Sequence, residues 1–266
     1  MSQITRWQIT KASRRLTNVL VLAVVSIGIW QITSHALDAR YLLPSPISVA
    51  AELRAHKDMY LSATLITAEE SVGGLTISIA VGLALVLAMY IVPRSEQYIL
   101  PIAIILKATP IVAVAPMLVV WCGPGMSAKF IMAFLVSFFP ILQNVHDGLR
   151  NTPEAPQSYA FVLGVTRMRE LFFIRAKYAV PEFVSSLKVA TPLAVVGAIV
   201  AEFVMPTEGL GSFLVRAVPS MDTPRLFATV TCVAIIGLSM YCFALLCEGW
   251  AIEKLHLTPV RGRHCE

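Results

Sequence analysis

Six apolar stretches, each about long enough to cross a bilayer, constrain this chain more than any other feature. They lie at about 17–36, 65–92, 98–122, 129–147, 186–206 and 227–251. A helix needs about 20 apolar residues to span the hydrocarbon core. Backbone groups in lipid must be satisfied within the segment, so these runs read as helices; strands of a membrane barrel would alternate apolar and polar residues. Composition agrees, at 57% hydrophobic and 14% charged residues, because a soluble domain carries roughly 25% charge. The expected fold is all-α, a polytopic membrane protein of about six transmembrane helices. Six spans and their connections use up 266 residues, which predicts a single transmembrane domain over 1–266. The third run carries Pro101, Pro110 and Pro116, and prolines at that density predict two short segments joined by a bend.

Orientation follows from the basic residues, which accumulate on the cytoplasmic side of membrane proteins. With the N-terminus inside, fourteen of the 21 Lys and Arg residues fall on inner segments and six on outer loops, Lys129 among the six, while Lys107 lies within a span. Both termini and residues 150–183 are therefore expected in the cytoplasm, and residues 37–62 outside. The formal net charge of +5 expresses this inner-face bias and does not indicate nucleic-acid binding. The N-terminal run "RRLTNVLVLAVVSIGIWQITSHALDA" also has the basic start and small-residue site of a signal peptide. Its apolar part is longer than a signal core, which favours a retained first span.

Motifs for catalysis are missing from the sequence: there is no GxxxxGK[ST] phosphate loop, GxSxG elbow or HExxH. The chain is expected not to be an enzyme, with any ATP hydrolysis in a separate subunit and with no cofactor. The five cysteines, at 122, 232, 242, 247 and 265, form no CxxC or Cys/His pattern, so no metal is expected. A transporter, a channel or a membrane scaffold remains.

Between the fourth and fifth apolar runs the sequence turns basic and amphipathic. In "NTPE", Thr152 is read as a helix N-cap, with Pro153 in the first turn and Glu154 at the positive helix end. A second helix is expected from about Thr166. Leu171, Phe172, Phe173 and Ile174 form an apolar cluster among Arg167, Arg169, Arg175 and Lys177, and Gly164 allows a sharp turn before them. On residues alone, this is either a helix lying on anionic lipid or a surface that docks a partner.

The segment "SYAFVLGVTRMRELFFIRAKYAVPEFVSSLK" resembles the EAA loop of binding-protein-dependent ABC transporter permeases, with Ala160, Gly164 and Pro181 at the loop's small-residue, glycine and proline positions. Ser158 stands at the usual Glu, Tyr159 at the next Ala, and Lys177 where a further Pro is common. "YLLPSPISV", "ATPIVAVAPMLVVWCGPG", "FFPILQNVHDGLRN" and "LKVATPLAVVGAIVAEFVMPTEGLGSFL" are similar to the nitrate, sulfonate and taurine branch of these inner-membrane importers. The resemblance implies a cytoplasmic coupling helix within residues 150–183, seated on an ABC ATPase through Ser158, Tyr159, Ala160, Gly164, Arg167, Leu171 and Phe172 and ended by Pro181. It also implies a periplasmic or lipid-anchored substrate-binding protein and a second permease, identical or paralogous. The solute would be a nitrate-, sulfonate- or taurine-like anion, or a thiamine-precursor- or riboflavin-like compound. A passive channel or secondary transporter is the alternative, and it leaves the loop unexplained.

Four acidic or basic positions stand out within the apolar runs. Glu69 and Glu70 sit at the expected outer start of the second span, where solvation or a helix-start role is favoured over a functional intramembrane one. Lys107 and Glu202 are candidate pathway or gate residues, because intramembrane charges are costly and often functional; snorkelling or an ion pair for Lys107 and a structural hydrogen-bonded acid for Glu202 are the alternatives. Gly197 and Ala201 would permit close helix packing.

Overall fold

A computed structural model describes residues 21, 22, 24–36 and 42–255. The choice between a retained and a cleaved N-terminal segment, and the position of Cys265, lie largely outside these residues. Every described element is helical: α1 (residues 24–36), α2 (Pro46–Ala55), α3 (Lys57–Ile91), α4 (Glu96–Ala108), α5 (Ile111–Cys122), α6 (Met126–Arg150), α7 (Glu154–Val162), α8 (Arg167–Glu170), α9 (Ala176–Val204), α10 (Leu210–Ala217) and α11 (Thr223–Leu255). Among the described residues, α3, α6, α9 with its α8 lead-in, and α11 are long and apolar enough to cross a membrane, and α4 with α5 forms a sharply bent apolar pair, a broken span or a re-entrant loop.

The break is sharp, 102° between the two halves. Of its three prolines, Pro101 and Pro116 remain inside helices, and only Pro110 interrupts the chain. Proline excludes the α conformation from the residue before it, and Thr109 accordingly is extended, at φ −72° and ψ 128°.

Two helices start earlier than hydropathy suggests. α3 begins at Lys57, eight residues before its apolar run, and at 35 residues it is about 52 Å long. α9 begins at Ala176 and follows α8 through a π turn at Leu171–Arg175. Pro181 therefore does not end the loop: it lies within α9. Pro181 is the sixth residue of α9, and the carbonyls that it leaves free adjoin the widened π turn, where hydrogen bonding is already irregular.

α6 is the central post, with α3 and α9 on either side. Phe138, Ile141, Leu142 and Val145 of α6 pack with Val86 and Met89 of α3 and Ala179 and Ala190 of α9. The approach of α9 to α6 is close enough that a Cβ on Gly197 would meet the backbone of Met132 and Ala133, as expected for small residues at a membrane helix interface. Ser78 of α3 and Ser137 of α6, both fully buried, are 2.7 Å apart. One end of the bundle carries α7 and α8, beside the last turns of α3 and α6. The other carries α2, packed against α11 and α3, and α10, packed against α11, α9 and α3.

Candidate functional site

At the α7 end the chain builds a compact helical elbow. α6 stops at Arg150, and Thr152 turns back, its hydroxyl donating to the Leu149 carbonyl at 3.0 Å. Thr152 thus caps the helix it follows; Pro153, without a side-chain cap, precedes α7. The expected N-cap is displaced because Thr152 is buried against α6.

α7 ends in a Schellman arrangement. The Val165 N–H donates to the Ala160 carbonyl at 3.0 Å and the Gly164 N–H to the Phe161 carbonyl at 3.1 Å. That closure requires a left-handed residue, and Gly164 supplies it at φ +64°. A Cβ at Gly164 would meet open space, so the demand for glycine comes from backbone conformation and not from crowding. α8 then starts after Thr166, as its sequence predicts.

Arg175 binds the elbow together. Its guanidinium donates to Glu170 Oε1 at 2.6 Å, Gln157 Oε1 at 2.7 Å and the Leu149 carbonyl at 3.3 Å, joining α8, α7 and α6. Tyr90 of α3 stacks under Arg175 and Arg167, and its hydroxyl donates to the Arg167 carbonyl at 2.9 Å. On the sequence Arg175 reads as one of four basic surface residues; the acceptors that make it a hub come from three helices.

The elbow leaves an apolar face without cover. Ala160 and Leu171 point inward and are buried, whereas Ser158, Tyr159, Val162, Leu163, Phe172 and Phe173 are exposed, and Phe161 reaches 88% exposure. The cluster expected at Leu171–Ile174 is therefore split, because the π turn sends Leu171 into the core and the two phenylalanines outward.

The opposite end holds a closed polar cluster. Glu202, near the end of α9, accepts from the Thr67 hydroxyl of α3 at 2.7 Å and from the Gly211 N–H of α10 at 2.5 Å. Thr67 also accepts from the Leu210 N–H at 2.9 Å. One turn along α3, Glu70 accepts from Lys129 of α6 at 2.6 Å, and Lys129 donates further to the Glu208 carbonyl at 3.3 Å. Glu70 and Glu202 are 0% exposed and Lys129 3%. This cluster ties α3, α6, α9 and α10 to one another.

Two sequence expectations change here. Glu70 lies thirteen residues into α3, about 20 Å from its start, and is an interior ion-pair partner, unlike the exposed Glu69. Lys129 belongs to the first turn of α6 and not to an outer loop. Burial in the bundle required a countercharge for each; the hint in the sequence is one Lys just inside an apolar run and one Glu well inside another.

Lys107 lies in neither cluster. It occupies the last turn of α4, at the α4–α5 break, with its ammonium 4.2 Å from the centroid of the Phe139 ring in α6.

Among the described residues, then, the chain is a helical bundle with four membrane-length helices and one bent apolar pair, an exposed helical elbow at one end and a buried polar lock at the other: the architecture of a polytopic membrane protein. Residues 80–250 match the binding-protein-dependent transport system inner membrane components, and the chain belongs to that family. It is 34% identical over 228 residues to a probable ABC transporter permease protein of Haemophilus influenzae, covering 85% of this chain and 93% of that protein. It is 31% identical over 211 residues to the formylaminopyrimidine transport permease ThiX of Halalkalibacterium halodurans, covering 79% and 84%. In fold it resembles a chain of the MetNI methionine ABC transporter in an inward-facing conformation, with TM-score 0.58 and 16% identity over 72% of this chain and 97% of that one. The protein is an ABC importer permease, and membership of this family implies an ATPase and a substrate-binding protein as partners.

Proposed function

We propose that this chain lines the translocation pathway of an ATP-driven importer, in the cytoplasmic membrane with the α7 end and both termini inside. The distribution of basic residues favours that orientation. The single observation that carries the functional reading is the elbow: a short helix fixed by Arg175 and Gly164 that exposes Tyr159, Phe161, Val162 and Leu163 together. An apolar patch on a rigid projection suits a protein partner, and an ATPase can move membrane helices only through an element that contacts both. Ser158, Tyr159, Phe172 and the α7–Gly164–Arg167 segment would form the contact. Ala160 and Leu171 would anchor it from within, and Pro181 would belong to the helix that transmits the motion.

At the other end, Glu202 and its partners would hold α10 against α3 and α9, closing the outer side until the helices move. The solute is a small compound: a nitrate-, sulfonate- or taurine-like anion, or a thiamine-precursor- or riboflavin-like molecule; the relative ThiX is named for formylaminopyrimidine transport. Two copies, or this chain and a paralogue, would enclose the pathway.

Reconstitution tests the reading. Proteoliposomes containing this chain, its cognate ATPase and its cognate binding protein should take up that binding protein's ligand only when ATP is supplied. Uptake of the same ligand by the chain without any ATPase would instead establish a passive channel or secondary transporter.

A further inference from the structure

We propose that Lys107 marks a solute-binding position at mid-depth of the membrane that recognises an anionic group, so that the transported compound carries a carboxylate, sulfonate, phosphate or comparable oxyanion. This rests on the permease reading above and narrows its substrate class.

Depth comes first. Phe139, whose ring lies 4.2 Å from the Lys107 ammonium, is thirteen residues from Met126 and eleven from Arg150, the two ends of α6. The ammonium therefore sits near the middle of a membrane-length helix. A hydrocarbon core of about 30 Å places either surface about 15 Å away. A lysine side chain reaches only ~6 Å, so snorkelling cannot bring this charge to water. Nor does the protein neutralise it: among the described residues no carboxylate pairs with Lys107, whereas Lys129 and Lys188 both have one. Its neighbour is the ring of Phe139 on α6, a cation–π contact made by a lysine that is exposed on the surface of the single chain. An unpaired cation at this depth requires an aqueous space or a mobile countercharge.

The surrounding space fits such a countercharge. Lys107 lines a cavity of about 290 Å³ with Thr109, Val136, Phe139, Pro140 and Leu193, near the lower size limit of small-molecule pockets. Three helices carry a break or an internal proline around it. α4 breaks at Thr109 and Pro110, α6 contains Pro140, and α9 contains Pro192 beside the cavity-lining Leu193. Irregular backbone at membrane depth is tolerated where it lines a cavity. α5 starts on the same cavity at Ile111, adding the positive end of a twelve-residue helix to the lysine charge. The positive charge is thus concentrated at one mid-depth opening, on the side where the chain is most interrupted.

Thiol labelling tests this and requires no identified solute. In the assembled transporter, lacking native cysteines and in permeabilised membranes, Thr109→Cys and Leu193→Cys each place a reporter on the cavity. The probes are methanethiosulfonate ethylsulfonate, which is anionic, and its trimethylammonium counterpart, which is cationic. The anionic probe should react faster at either reporter, and Lys107→Gln should lower the anion-to-cation rate ratio roughly tenfold, whereas Lys107→Arg should preserve it. Equal ratios with Lys and Gln at 107 would overturn the proposal. So would labelling only by an uncharged, membrane-permeant maleimide, since that places the cavity in lipid. Failure of the wild-type chain to assemble with its ATPase is a different result, and counts against the permease reading itself. Two reporters on different helices keep the test decisive if one variant does not assemble.

Discussion

The two ends of the bundle use polar residues in opposite ways. At the α10 end, Glu70, Lys129, Glu202 and Thr67 are buried and direct their hydrogen bonds to one another and to the α10 backbone. At the α7 end, Arg175, Gln157, Glu170 and Tyr90 also interlock, but they do so beneath an uncovered apolar face. The first arrangement closes within a single chain, save for the buried Glu70 Oε2, which has no hydrogen-bond partner; the second interlocks internally and is open externally. Polar networks at the two ends therefore serve different purposes, closure in one case and presentation of a surface in the other.

Energetics should separate them. The largest loss is expected from Lys129→Ala, which leaves Glu70 buried without its countercharge and costs about 3–5 kcal/mol. Thermal unfolding of the detergent-purified chain checks it, and Lys129→Met with Glu70→Met should recover most of the loss, because removing both charges removes the desolvation penalty. A smaller loss, about 1–3 kcal/mol, is expected from Thr67→Val, which deprives Glu202 of a donor and the Leu210 N–H of its acceptor. The same unfolding measurement reads it, and additivity with Phe161→Ser would confirm that the two ends are energetically independent.

Phe161→Ser sharpens the contrast from the other side. An 88% exposed side chain contributes little to packing, so its unfolding midpoint should match the wild type while recovery of the ATPase on affinity purification falls. A drop in stability comparable to that of Thr67→Val would show that the α7 face is covered within the chain, and the distinction between the ends would collapse.

Much of the α7 end could be read in one dimension because its determinants are local. Gly164 follows α7 directly and its left-handed turn is a property of adjacent residues; the start of α8 after Thr166 is equally local. Thr152 and Pro181 read differently in the fold because tertiary contacts decide them: the Thr152 hydroxyl found the Leu149 carbonyl, and Pro181 fell within a helix already continuous from the π turn. The α10 end was less legible. Adjacent glutamates on a helix are about 100° apart, so Glu69 can face outward while Glu70 faces Lys129, 59 residues away in sequence, and hydropathy does not tell which. Glu202 stood out as an acid near the end of an apolar run, yet its partners Thr67 and Gly211 become visible only when α3, α9 and α10 meet.

The central claim is that the α7–Gly164–α8 elbow couples this permease to its ATPase, and Gly164→Asp addresses it most directly. A non-glycine residue at φ +64° costs about 1 kcal/mol, and the open space around Gly164 leaves the rest of the bundle undisturbed. Co-purification of the ATPase with the Gly164→Asp permease, measured beside ATP-dependent uptake and membrane abundance, should show near-normal abundance, weakened ATPase association and lost uptake. Wild-type ATPase recovery together with wild-type uptake would contradict the account.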